Sequence, residues 1–308
     1  MGFPDGRPGY LFVVQDTTTI KRLEREARLR QRLAALASAA AGASGARPAW
    51  VLDLKSVKTQ PPVVPDTILN AAVNYTEHAN EMAGRGGNSG SAPAPPAESM
   101  PGIWTRRPGD ARHNPYLFLK PRSAVIADGE AIRLPPGRER IDWECELNAV
   151  IGRAASHVPL ERAADHIVGY TLQNDVSDRG GRGDSRHGSD WLIGKGHDTF
   201  APVGPFIVPK EFVPDPQKLA IKFTLSGKVM QDSSTDRMTH NVFEILEYAS
   251  HIVTLQAGDL LSTGSPAGVG TARATPIYMK AGDTSVCSIE RIGTLTNPVR
   301  AEQAAGTR

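Results

Sequence analysis

The chain is poor in the features that mark several common protein classes. Its 308 residues include only two cysteines, Cys145 and Cys287, so no disulfide framework can be built and Cys145 reads as a small buried hydrophobe. No segment approaches the ~18 consecutive apolar residues of a membrane span. The opening MGFPDGRPGYLFVV lacks the basic start and long apolar run of a secretory signal. The formal net charge is only +2 and aromatic residues make up 6% of the chain, which argues against a protein that works by covering phosphate backbones or stacking bases. No repeat of solenoid period is present. These absences lead us to expect a cytoplasmic protein with no nucleic-acid or membrane partner.

What is present points to a β-rich α+β fold. A hydrophobic content of 40% supports a large core, and 24 prolines with 30 glycines imply many turns between short elements. Residues 1–65 are expected to form a small N-terminal region. It would hold a short strand at 10–14 and an amphipathic helix from about Thr18 to Ala41, carrying Arg22, Arg25, Arg28 and Arg32 on one side. The interleaved Glu24 and Glu26 favour a solvated helix packed on its own domain or a neighbouring subunit over a nucleic-acid contact. Residues 66–298 are expected to form the catalytic domain and 299–308 a frayed tail. Within the domain, Asp66 would cap a helix running to Gly84, and 84–113, with low complexity over 84–102, would be a mobile lid. Strands are read at Tyr116–Lys120, Ile141–Gly152, from about Ile167 to Asn174, and across LAIKFTLSG and KVMQD, with an Asp128-Gly129 hairpin. A helix follows from about Val242 to Thr254. Two Ala-Gly-Asp turns, at 257–259 and 281–283, lead into the closing strands.

The run Ile141-Asp142-Trp143-Glu144-Cys145-Glu146-Leu147-Asn148-Ala149-Val150-Ile151-Gly152 alternates with a period of two. Its odd positions are apolar, and Glu144 and Glu146 point the same way, roughly 7 Å apart at their Cα atoms. Adjacent like charges repel and acids are poor strand formers, so either this face is solvated or a cation balances it. Asp175, at the end of a later strand, is the natural third ligand. Three carboxylates, with Cys145 turned to the opposite apolar face, select Mg²⁺ or Mn²⁺, with Ca²⁺ as a further option, over Zn²⁺. His78 and Glu81 share a helix face at i, i+3, either as surface polar residues or as an oriented general base. Lys195, in a Gly-flanked turn, could aim its ammonium at developing negative charge. Thr263-Gly264-Ser265-Pro266-Ala267-Gly268-Val269-Gly270 superficially looks like a dinucleotide loop, but no helix follows it. Its glycines suit close backbone approach to a small anion.

NYTEHANE, DWECELNAVIG, GYTLQNDVSDR, IGKGHDTFAPVGPF and QAGDLLSTGSPAGVG, in this order between about Asn70 and Val299, resemble the fumarylacetoacetate hydrolase family. The resemblance implies a mixed β-sheet roll or sandwich with a small N-terminal region, forming a homodimer. It implies a metal site at Glu144, Glu146 and Asp175, a catalytic His78–Glu81 pair on a lid helix, Lys195 as a catalytic group, and substrate contacts from Lys120, Arg179, Thr263 and Ser265. Arg182 stands where many members carry a glutamine, which favours an additional anionic group on the substrate. The implied activity is metal-dependent hydrolysis of a carbon–carbon bond in a 1,3-diketo or acylpyruvate-type acid through an enolate, in catabolism of aromatic compounds. The same family includes isomerases and decarboxylases of 2-keto or enol dicarboxylates, of the 5-carboxymethyl-2-hydroxymuconate or oxaloacetate type. The His78–Glu81 pair, able to activate water, points to the hydrolase.

Overall fold

A computed structural model describes residues 56–83, 103–105, 107–181 and 190–302. The expected N-terminal strand and basic helix, the low-complexity stretch 84–102 and Arg182 lie outside the described residues. Strands are β1 (Ile68–Ala72), β2 (Tyr116–Lys120), β3 (Val125–Ile126), β4 (Ile132–Leu134), β5 (Ile141–Asp142), β6 (Cys145–Ile151), β7 (Ile167–Asn174), β8 (Ser177–Asp178), β9 (Ala201–Pro209), β10 (Ala220–Leu225), β11 (Lys228–Ser234), β12 (Leu260–Ser262), β13 (Thr284–Ile289) and β14 (Gly293–Ala301). Among the described residues the α-helices are α1 (Thr76–Ala83), α2 (Ala163–His166), α3 (Trp191–Lys195) and α4 (Val242–Ser250). None of these helices is long and apolar enough to cross a membrane.

A seven-stranded mixed sheet runs β2-β1-β12-β6-β7-β9-β3, a five-stranded sheet runs β11-β10-β13-β14-β4, and β5 pairs with β8. The fold is β-rich α+β, as the composition implied. Strand β6 is at the centre of the larger sheet, antiparallel to β12 on one side and β7 on the other. Period-two alternation divides its side chains between two interiors. Cys145, Leu147, Ala149 and Ile151 join the main core with Leu172, Phe223, Cys287 and Leu295, so β10, β13 and β14 pack over β6, β7 and β9. Val150 joins a second apolar cluster with Ile68, Leu260, Ala201 and Val203. Each fully buried valine, leucine, isoleucine or phenylalanine among these contributes about 1.5–3 kcal/mol. With Glu146 and Asn148 also fully buried, neither face of the strand is solvated.

The structure departs from the sequence expectations at five points. The stretch after Asp66 forms strand β1, not a helix, because Ile68–Ala72 is held between β2 and β12 and this pairing overrides local propensity; the helix begins only at Thr76. The acidic run is not one strand. Between β5 and β6 the ladder is replaced by side chains: the Trp143 N–H donates to Asp142 Oδ1 at 2.9 Å and the Glu144 N–H to Asn174 Oδ1 at 3.0 Å. Asp128-Gly129 does turn the chain, but β3 pairs with β9 and β4 with β14, so no hairpin forms. The C-terminal segment is not frayed from 299: β14 continues to Ala301, with Val299 opposite Ile132. Helix α4 also ends at Ser250, short of Thr254.

Helix α4 shows how its sequence sets its start. Asn241 Oδ1 accepts the N–H groups of Phe243 and Glu244, while Glu244 accepts the Asn241 N–H, a reciprocal cap. Arg112 grips both Glu244 oxygens, at 2.9 and 3.0 Å. Just before the cap, His240 is buried edge-on to Trp104, and its Nε2 donates to the His113 carbonyl at 2.7 Å. Burial, reinforced by the Arg112 and His113 charges, pushes the His240 imidazole down to about 4, although the His113 carbonyl pulls the other way. An unfolded histidine titrates near 6.5. Between these values the unfolded chain takes up a proton that the folded chain refuses, so this contribution to stability is complete above about pH 6.5 and falls away toward pH 4. Urea titrations at pH 7 and pH 5 should therefore show a larger loss of stability in wild type than in His240→Gln. Equal losses in the two proteins would remove His240 from the acid response.

Candidate active site

Strand register assembles the acidic centre. Cys145 lies opposite Asn174, so the residues flanking that pair, Glu144 and Asp175, meet; the Asp175 N–H donates to the Glu144 carbonyl at 2.8 Å. Glu146 leaves β6 on the face opposite Leu147 and completes the group. Ligand oxygens of Glu144, Glu146 and Asp175 all lie within 4.8 Å of one another, and all three residues are buried.

Cations from three other elements surround this centre. From β2, Lys120 Nζ reaches Asp175 Oδ1 at 2.6 Å. At the end of α3, Lys195 Nζ bridges Glu144 Oε2 at 2.8 Å and Asp175 Oδ2 at 2.6 Å. Lys195 is thus the last residue of a helical turn capped by Asp190, not part of the expected Gly-flanked turn, and its ammonium lies 5.0 Å from the centre of the Phe118 ring. Arg179 binds Glu144 through Nη2 and Asp142 through Nε, the latter at 3.2 Å.

Electrostatics separates the two glutamates. Burial alone would raise the Glu144 carboxyl, but Lys195 and Arg179 outweigh it and hold the group well below the usual carboxylate range. Glu146 is raised well above that range by burial and by the negative charges of Asp175 and Glu144. Burial lowers the Lys120 ammonium to about 8, against the pull of Asp175.

Glu146 also supplies the test of whether a cation fits. Its Oε2 accepts the Ser262 hydroxyl and, at 3.2 Å, the Gly264 N–H. Its Oε1 is buried with no hydrogen-bond partner among the described residues. An orphaned carboxylate oxygen inside an all-carboxylate donor set is what a hard, oxygen-seeking divalent ion would satisfy. Glu144, Glu146 and Asp175 could therefore hold Mg²⁺, Mn²⁺ or Ca²⁺.

His78 and Glu81 come together on α1, with Nδ1 and Oε2 3.3 Å apart. His78 is buried, and it is close enough to Glu144 to lower that carboxyl. Glu81 is tied in turn to the loop after β12, accepting the Gly268 N–H at 3.0 Å. Only glycine suits that position: φ is +101°, and a Cβ would stand 2.2 Å from the Met230 carbonyl oxygen.

The same loop places the other expected substrate contacts. Ser265 is buried beside Gln231. The Thr263 hydroxyl donates to the Leu147 carbonyl at 2.9 Å, which fastens the loop to β6. Asp142, Asn74, Ser262 and Gln231 were not singled out from the sequence. Asp142 continues the acidic alternation and could have been noticed; it accepts the N–H groups of Gly270 and Thr271 at 2.7 and 2.9 Å. The other three are single polar residues with no pattern around them.

A family profile described as fumarylacetoacetate (FAA) hydrolase C-terminal matches residues 67–300. The chain belongs to the fumarylacetoacetate hydrolase family. That match takes in every described site residue. A mitochondrial oxaloacetate tautomerase of Xenopus laevis is 34% identical over 250 residues, 81% of this chain and 70% of that protein. Among solved structures, a 5-carboxymethyl-2-hydroxymuconate delta-isomerase from Mycobacterium smegmatis aligns with TM-score 0.64 and 36% identity, covering 82% of this chain and 86% of its own. A 2-hydroxyhepta-2,4-diene-1,7-dioate isomerase from Mycobacterium marinum aligns with TM-score 0.64 and 35% identity, covering 85% and 84%.

As a member of the fumarylacetoacetate hydrolase family, the chain gives a direct test of its acidic centre. Glu146→Gln keeps the shape and removes a carboxylate that burial already disfavours. It should weaken Mn²⁺ binding at least ~100-fold by titration calorimetry, while the metal-free melting temperature stays the same or rises. Unchanged Mn²⁺ affinity would show that Glu146 is no ligand.

Proposed function

We propose that this chain is a metal-dependent tautomerase or isomerase acting on a 2-keto or enol dicarboxylate. The observation that carries the reading is the naming of relatives that align over most of the chain: a tautomerase and two isomerases of such acids. They support it above the carbon–carbon hydrolysis expected from the His78–Glu81 pair. That pair serves either chemistry, because a base that takes a proton from water can take one from a carbon next to a carbonyl.

Glu144, Glu146 and Asp175 would hold the divalent ion. When bound, the ion supplies Lewis-acid polarisation of the substrate's oxygens. His78 moves the proton. Glu81 engages Nδ1, which keeps the ring oriented and leaves Nε2 as the atom that takes the proton from one substrate atom and returns it to another. Lys120, Lys195 and Arg179 hold positive charge around the centre. Asp142, Glu144 and Asp175 pair with these three cations and Glu146 lies beside them; with all four ionised, a divalent ion would leave the set with one net positive charge. Such a site favours an anion over a neutral ketone. Burial of the base and the carboxylates limits competing reactions with water.

Incubation with oxaloacetate or a 2-hydroxymuconate-type acid in D₂O and Mg²⁺, followed by NMR, should show faster enol–keto interconversion with deuterium entering next to the carbonyl and the carbon skeleton intact. Two fragments, or carbon dioxide, would instead place the chain with the hydrolases or decarboxylases. His78→Ala should lower kcat at least ~100-fold. Retained turnover in that variant would mean that another group moves the proton.

A further inference from the structure

Gln231, from β11, is buried, and the hydrogen-bond partners of its side chain are all distant in sequence. Its Oε1 accepts the Cys145 N–H at 3.1 Å, between the two glutamates of the acidic centre. Its Nε2 donates to the Pro266 carbonyl at 2.7 Å and to Ser265 Oγ at 2.8 Å. The two backbone partners allow only one orientation of the amide. An N–H faces one end and a carbonyl faces the other, so a flipped side chain would set donor against donor and acceptor against acceptor.

This orientation has a consequence for Ser265. Both Nε2 hydrogens are directed by the geometry, one to Pro266 and one to Ser265 Oγ, so the hydroxyl accepts from Gln231. Its own proton is then free to point elsewhere, since the contact from Oγ to the Pro266 carbonyl is long, at 3.5 Å. Ser265 follows Gly264, whose N–H touches Glu146, and is itself buried. We propose that Gln231 is a positioning and specificity-determining residue that fixes Ser265 as a hydrogen-bond donor, so that this end of the site takes an acceptor-only group, a carboxylate or enolate oxygen, and discriminates against an amide. The proposal rests on the proposed activity toward an anionic keto or enol acid and on the expectation that Ser265 contacts the substrate.

The test uses oxalate, a small chelating dianion, and oxamate, in which an amide replaces one carboxylate. Both are titrated into the Mg²⁺-loaded full chain by calorimetry, and the ratio of their affinities is compared between variants. Gln231→Glu forces an acceptor against Ser265 and turns the hydroxyl inward, so the oxalate-to-oxamate ratio should fall at least tenfold. Gln231→Met, which removes the donor without adding charge, should lower the ratio by a smaller factor, above threefold. Ser265→Ala should lower it about tenfold and make it insensitive to Gln231→Met in the double variant. A hydrogen bond of ordinary strength corresponds to changes of this size. Should Gln231→Glu fail to fold, Gln231→Met and Ser265→Ala decide the outcome. A ratio within twofold of wild type in Gln231→Met or Ser265→Ala overturns the proposal and leaves the proposed activity standing. Absence of oxalate binding by wild type would overturn both.

Discussion

Four carboxylates, those of Asp142, Glu144, Glu146 and Asp175, lie together in a part of the protein closed to water. Their mutual repulsion in a medium of low polarity is the constraint from which much of the surrounding structure follows. Each balancing charge comes from a separate stretch of chain: Lys120 from an edge strand, Lys195 from a helix of five residues, Arg179 from just beyond β8. Removing one partner from a buried ion pair costs about 3–5 kcal/mol, far more than the pair itself adds to stability. The charge cluster therefore acts less as a source of stability than as a device for specificity. It penalises any arrangement that leaves β2, α3 or the segment after β8 out of place. A helix as short as α3 has little stability of its own, and its terminal ammonium is held by two of the acids.

The loop after β12 joins this charge cluster to the proposed proton-transfer pair. Ser262 and Gly264 bind Glu146; Gly268 binds Glu81; Gly270 and Thr271 bind Asp142. Asn74, just ahead of α1, donates to the Thr263 carbonyl at 2.8 Å and exchanges hydrogen bonds with the His240 backbone. The base helix is thus indexed to the carboxylates largely through backbone N–H groups of one loop, joined by the Ser262 hydroxyl at the end of β12, without a direct side-chain bond between His78 and any of the three acids. Backbone donors do not change rotamer, so the spacing between base and acidic centre is set by the main chain.

Where local pattern and tertiary demand agree, the sequence is readable. The strand ending at Asn174 delivers Asp175 where the alternation and following polar run indicate, and both Ala-Gly-Asp turns lead into strands as expected, with φ of +98° at Gly258 and Gly282. The His78–Glu81 pair also forms as its spacing requires. Legibility fails where a distant partner decides. Ile68–Ala72 is a strand because β2 and β12 flank it, and no window around Asp66 contains that information. The break at Trp143-Glu144 is imposed by Asp142, Asn174 and the Gly270–Thr271 backbone, all remote in sequence except Asp142. Gln231 and Asn74 are single amides whose importance arises entirely from residues more than thirty positions away.

The break between β5 and β6 is the most informative of these failures. In an uninterrupted strand, Glu144 and Glu146 would share one face at fixed separation, and neither could swing toward β7 without losing ladder bonds. Releasing Trp143 and Glu144 from the ladder costs backbone hydrogen bonds, which Asp142 and Asn174 replace with side-chain acceptors at 2.9 and 3.0 Å. In return Glu144 is pinned by its own carbonyl to Asp175 while Glu146 stays in register with Gln173. The three carboxylates can then converge on one point instead of lining one edge. Lys195, bridging Glu144 and Asp175, already occupies part of that point with positive charge. A divalent ion that takes the same oxygens must compete with the ammonium for them. The binding of such an ion would therefore be coupled to the placement of α3, the element that carries Lys195 into the acidic centre.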